Sequence, residues 1–148
     1  MTKRRGISPV IATVIIVAVT IAVAIAVAFW MTGIVGLFTA AEKLEIVSLF
    51  AQQAPGGGWR VTITVRNTGT TPTSIDEIFI NGIPREQCTG AQFPQLPIRL
   101  DPGGEQTFQI TLDDGGQCGP TTFRAGGSIE VKLHSTGGKE YPKLTVLP

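Results

Sequence analysis

From Ile7 through Ala41 the chain presents no charged side chain, whereas from about Lys43 onward apolar and polar residues alternate in short runs broken by Gly, Pro, Asn and Asp. The two textures predict two different structures. An uncharged apolar stretch of this length, if helical at about 1.5 Å per residue, reaches roughly 50 Å, whereas about 20 residues cross the roughly 30 Å core of a bilayer. The surplus must be buried somewhere else. Locally, Val19-Thr20-Ile21-Ala22-Val23-Ala24-Ile25-Ala26-Val27 alternates with period two and is β-branched, a strand-like pattern. Length decides for the helix, because a lone strand would leave its backbone groups unpaired in lipid while a helix pairs them internally. Ser8 is placed to cap that helix and Pro9 suits its first turn, where no intrahelical donor is needed. Thr13 and Thr20 are spaced to bond back to carbonyls of the preceding turn.

Small residues dominate the helix at regular intervals. Ala18, Ala22 and Ala26 recur at i+4 on one face, and Ala24 and Ala28 occupy another, so neighbours gain close approach from more than one side. Such a helix is suited to burial among other helices. Gly33 and Gly36 interrupt its apolar tail and either bend it or admit a close neighbour.

The remainder reads as β-structure. Trp59, Val61, Ile63 and Val65 fall on one face of a strand and Arg60, Thr62, Thr64 and Arg66 on the other. Further strands are predicted at Leu44 to Ala51, Ile75 to Asn81, Thr107 to Leu112, Ser128 to His134 and Lys143 to Leu147, with a weaker one at Pro97 to Leu100. Turns are predicted at Asn67-Thr68-Gly69, Asn81-Gly82, Asp101 to Gly104, Asp114-Gly115-Gly116 and Thr136-Gly137-Gly138. The stretch from Gln52 to Gly58 reads as a hairpin loop or strand connection, not a domain boundary. Short strands at this spacing favour an antiparallel β-sandwich of immunoglobulin-like architecture, with a small barrel as the alternative. The expected fold class is α+β: a long N-terminal hydrophobic helix over residues 7–42, then a β-sandwich head over residues 43–148.

Charge and chemistry narrow the function. With 12 Lys and Arg against 11 Asp and Glu, the formal net charge of +1 lacks the basic footprint of a nucleic-acid binder, so no nucleic-acid partner is expected. His134 is the only histidine and no catalytic motif surrounds it, so the chain is expected not to be an enzyme. Asp101, Asp113 and Asp114 match no calcium-ligand spacing and read as turn residues; no metal or other cofactor is expected. Cys88 and Cys118 lie in Gly/Pro-rich sequence without CxxC spacing. In an extracellular protein they read as one disulfide closing a loop of about 30 residues, the alternative being two free small hydrophobes.

The N-terminus discriminates among three targeting modes. A cleaved secretory signal has an apolar core of about 7 to 15 residues, less than half of what is present. A signal anchor with its basic end inside fits the positive-inside rule and the Glu42-Lys43 exit. The third mode is cleavage on the cytoplasmic side, between the basic head and the apolar stretch. The residues Lys3-Arg4-Arg5-Gly6-Ile7-Ser8-Pro9-Val10-Ile11-Ala12-Thr13 closely resemble the class III signal and helix start of archaeal type IV pilins. The resemblance covers residues 3 to about 38. It implies that a membrane prepilin peptidase removes residues 1–6 by cutting between Gly6 and Ile7. It further implies membrane insertion as a precursor, extraction by a pilus assembly machinery, and homopolymerisation into an extracellular filament on the cell surface. Ile11 stands where bacterial members usually carry Glu, a departure common in archaeal ones. The polymerisation residues so implied are Val10, Ala18, Ala22, Ala26, Phe29 and Trp30, with the two aromatic residues alternatively marking the outer membrane interface of the precursor. The expected role is a structural subunit of an adhesive archaeal pilus. An archaellin of the motility filament, or a membrane-anchored binding module that does not polymerise, are the alternatives.

Overall fold

The computed structural model describes residues 8–39 and 41–148 and divides the chain into two compact units, residues 1–40 and 41–148. Gly6 and Ile7, and with them the expected processing site, lie outside the described residues.

In the first unit a single helix, α1 (Pro9–Thr39), runs for 31 residues. The Ser8 carbonyl accepts the amides of Ile11 at 3.0 Å and Ala12 at 3.2 Å, so Ser8 stands at the N-cap position and Pro9 in the first turn, where its missing N–H leaves no bond unmade. Helical bonding continues through both Gly33 and Gly36. A Cβ at either position would meet nothing within 4 Å, so the first unit itself supplies no reason for glycine there.

Ten strands build the second unit: β1 (Leu44–Gln53), β2 (Trp59–Asn67), β3 (Thr73–Ile80), β4 (Ile83–Pro84), β5 (Cys88–Gln92), β6 (Ile98–Leu100), β7 (Glu105–Cys118), β8 (Thr121–Thr122), β9 (Ser128–Ser135) and β10 (Glu140–Val146). One sheet has the order β1-β2-β7-β5 with β8 paired to β7; the other has β10-β9-β3-β4 with β6 paired to β3. All pairings are antiparallel. The expected α+β class and two-sheet sandwich are therefore the observed ones. The predicted inward face of β2 is fully realised: Trp59, Val61, Ile63 and Val65 are buried together with Phe108, Ile110 and Leu112 of β7. Ile75, Ile78 and Ile80 of β3 and Ile129, Val131 and Leu133 of β9 complete this one core from the other sheet. Each such side chain contributes about 1.5–3 kcal/mol on leaving water.

The hairpin at Asn81-Gly82 follows its sequence signature. Both residues have positive φ, +51° and +79°, and Ile80 pairs directly with Ile83 across the two-residue turn. The expected turn at Asp114-Gly115-Gly116 is corrected: β7 passes straight through it. The segment instead bulges out of the β5 ladder, which pairs Ala91 with Leu112 on one side and Thr89 with Gln117 on the other. Gly115 N–H donates to the Phe123 carbonyl at 3.1 Å and Phe123 N–H to Gly116 at 2.8 Å, so the strand's hydrogen bonds are satisfied without a reversal. Reversal comes only after Cys118, between β7 and β8.

Cys88 lies directly opposite Cys118 in the β5–β7 pairing and the two are joined as a disulfide across a separation of 30 residues. Cross-linking a loop of that length restricts the unfolded chain by about 3–4 kcal/mol at room temperature. Reduction is expected to lower the unfolding free energy of the full chain by that amount, measured by urea denaturation with and without reductant; a loss below about 1 kcal/mol would contradict the assignment.

Candidate assembly helix

Helix α1 is apolar from end to end, and Pro9–Gly36 forms a 28-residue segment long and apolar enough to cross a membrane. Its hydrophobicity is distributed evenly around the axis, and almost every side chain from Pro9 to Gly36 is exposed or nearly so in the isolated chain. A surface helix of a soluble domain instead confines its apolar residues to one stripe. An evenly apolar helix is stable only where its whole circumference is covered, by lipid or by protein.

The helix has few polar side chains, and three of its threonines turn inward on their own backbone. Thr13 Oγ1 donates to Val10 O at 2.8 Å, Thr20 Oγ1 to Val17 O at 2.8 Å, and Thr32 Oγ1 to Ala28 O and Phe29 O, both at 3.0 Å. The back-bonding expected of Thr13 and Thr20 is present, and Thr32 adds a third instance. A hydroxyl satisfied in this way makes no demand on a neighbouring helix.

The structure places Val10, Ala18, Ala22, Ala26, Phe29 and Trp30 on open helix surface, with Phe29 and Trp30 at 75% and 69% exposure. Ala18, Ala22 and Ala26 form one row, and Phe29 and Trp30 follow Ala26 at i+3 and i+4, so these five lie on connected surface. Val10 lies apart near the start. Where alanine replaces a larger residue the helix surface is hollowed: Thr13, Val14, Val17, Ala18 and Ile21 border a shallow depression of about 370 Å³, and Ile25, Ala28, Phe29 and Thr32 border another of about 200 Å³. Hollows of this kind receive side chains of a facing helix.

The residue pattern gave no hint of how the chain enters the head. Ala41 and Thr70 exchange two hydrogen bonds, Ala41 N–H to Thr70 Oγ1 at 2.9 Å and Thr70 N–H to Ala41 O at 2.8 Å. The Lys43 carbonyl accepts Thr68 N–H at 2.8 Å and Gly69 N–H at 3.1 Å. Between them Glu42 accepts from Thr73 Oγ1 at 2.9 Å, while its backbone carbonyl accepts Lys139 Nζ at 2.6 Å. A side chain at Gly137 would collide with the Glu42 carboxylate, and one at Gly69 with the backbone of Ala41 and Lys43. Ala41 and Glu42, expected as the last residues of the helix, and Lys43, expected as the first of the head, are all built into the head's own hydrogen bonding, and α1 ends at Thr39.

Elsewhere in the head, titratable groups pair on the surface. His134 Nδ1 and Asp76 Oδ1 lie 2.7 Å apart, and Asp101 accepts from Arg99 Nε at 3.3 Å. Among the described residues no three of His, Cys, Asp and Glu converge as metal ligands. A cleft of about 460 Å³ between Gln53, Gly58, Trp59 and Asp114 brings together no nucleophile and base.

No family model and no curated protein matches this chain. Among solved structures it is similar to the apo PCuAC domain of PmoF1, with 16% sequence identity and a TM-score of 0.49, over 73% of this chain and 98% of that chain. That likeness says nothing about activity. The molecule is an α+β protein with a membrane-length apolar helix and a disulfide-linked β-sandwich.

Proposed function

We propose that this chain is the structural subunit of an extracellular archaeal type IV pilus, held in the membrane as a precursor and polymerised through α1. The observation that carries the reading is the even, all-round apolarity of a helix whose length exceeds a bilayer by about ten residues. A lone anchor is adequate at about 20 residues and requires neither the surplus nor small residues on several faces. The leader-like residues Lys3 to Gly6 supply the processing signal.

In this reading assembly exchanges lipid contacts for protein contacts. Transfer from one apolar surrounding to another gives little hydrophobic free energy, so close packing into the hollows beside Ala18 and Ala28, together with released lipid, drives the exchange. The head domains remain outside, where their loops meet surfaces and serve adhesion. Mass spectrometry of sheared cell-surface fibres tests the reading: the subunit is expected to begin at Ile7 and to carry the Cys88–Cys118 bond. A subunit retaining Met1, or cells that expose no such fibres, would overturn it.

A further inference from the structure

Side chains alternate along a strand, so residues two apart share a face. On β7 the inward positions Phe108, Ile110 and Leu112 are buried, and Asp114 is the next position of that parity. On β1 the same step leads from Ala51, packed against the core, to Gln53, which stands directly opposite buried Trp59 in the β1–β2 register. Where two strands would continue the core, the sequence thus supplies a carboxylate and an amide. Both line the cleft of about 460 Å³ described above. Asn67, the buried polar residue at the other end of β2, spends its amide on backbone bonds, whereas the Asp114 carboxylate engages no partner among the described residues. A polar group turned toward the core and left unengaged is the informative kind of exception.

The rest of the cleft is carbon and close backbone. Trp59 Nε1–H donates to Pro148 O at 2.8 Å, so the ring's one polar group is engaged and what it shows the cleft is carbon. Ala54 and Ala125 add two methyl groups. Gly58 has a φ of +78°, and a Cβ there would run into the Leu112 carbonyl, so only glycine lets the 54–58 loop lie this close to β7. The cleft also lies away from the entry of the chain. Ala41 and Lys43 are held by the 68–71 loop before β1 begins, whereas Gln53 closes that 10-residue strand, about 30 Å further on.

The volume falls within the roughly 300–1,000 Å³ of small-molecule sites, and the lining defines the ligand. An anion would be repelled by Asp114, and among the described residues no three His, Cys, Asp or Glu converge to hold a metal ion. Carbon on one side with a carboxylate and an amide on the other matches a neutral sugar, whose ring C–H groups lie over carbon. Its vicinal hydroxyls donate to the carboxylate and exchange bonds with the amide. We infer that this cleft binds a pyranose residue of an uncharged surface glycan, with Asp114 and Gln53 taking its hydroxyls and Trp59, Ala54 and Ala125 its carbon face. One such contact is weak, but a fibre repeats it in every subunit, and linked weak sites gain about 10²–10⁴ in avidity. That use of the site rests on the adhesive-pilus reading given above.

Binding is measured on the full chain as a monomer, so its failure and the failure of the polymer reading are separate results. The isotope-labelled chain, solubilised in a detergent without sugar groups, is titrated with glucose, galactose, mannose and N-acetylglucosamine and followed by NMR. At least one is expected to shift the Trp59 indole and Gln53 side-chain amide signals saturably, with a Kd of about 1 mM. Asp114→Ala is expected to weaken that Kd about tenfold or more while the head's denaturation midpoint is unchanged, since the side chain is exposed. No saturable shift with any of the four sugars would overturn the inference. So would undiminished affinity in Asp114→Ala, or the same shifts produced by methylammonium and not by sugar.

Discussion

Ala22→Asp is expected to abolish fibres while leaving the head folded. Ala22 sits mid-helix in the Ala18–Ala26 row, where every neighbouring side chain is apolar or a back-bonded threonine. A carboxylate at the centre of a spanning helix costs about 2.5–3.5 kcal/mol on insertion scales, and in a packed helical core it recurs in every subunit with no cation on α1 to pair with. Electron microscopy of sheared material reads fibre yield, and immunoblotting of membranes separates failed polymerisation from failed insertion. The head is monitored by the fluorescence of Trp59, buried at 4% exposure. Normal fibres from this variant would remove the basis for assigning assembly to α1.

The second large effect concerns Asn67, which is fully buried at the end of β2. Its Nδ2 donates to Thr71 O at 2.8 Å and Leu100 O at 3.1 Å, and its Oδ1 accepts Gly69 N–H at 2.9 Å. These bonds shape the 68–71 loop, which in turn holds Ala41 and Lys43. Asn67→Ala removes the amide donor from the Thr71 and Leu100 carbonyls, at roughly 1–3 kcal/mol each before relaxation and water entry, while Gly69 N–H keeps its bond to the Lys43 carbonyl. A net loss of about 3 kcal/mol in unfolding free energy is expected by urea denaturation of the detergent-solubilised chain. A loss under about 1 kcal/mol would show that water replaces the amide without penalty.

The helix and the long strands were legible because their signals are additive along the chain. Trp59 to Arg66 carries four inward and four outward residues in strict alternation, and the burial of β2 follows it closely. β4, β5 and β8 were not legible: two of them are two residues long, and Cys88-Thr89-Gly90-Ala91-Gln92 has no alternation of its own. Their positions are fixed by pairing with β3 and β7, which local sequence does not encode. Asp114-Gly115-Gly116 has the composition of a turn, but tertiary pairing with Phe123 overrode it. The Asn67 turn was read correctly as a turn, yet its side chain's reach to Leu100 and the clamp around Glu42 depend on contacts many residues away. On α1 the alanine row was visible from spacing alone, whereas the exposure of Phe50 and Leu144 required knowing that β1 and β10 form sheet edges.

The hydroxyls of Thr13, Thr20 and Thr32 on α1 are each tied to a carbonyl one turn back. A rod whose hydroxyls travel with their own acceptors experiences an oily leaflet and a crowd of identical rods as chemically equivalent hosts for those groups. In the assembly proposed above, passage between the two then calls for no proton-sharing partner to be found or abandoned along the way.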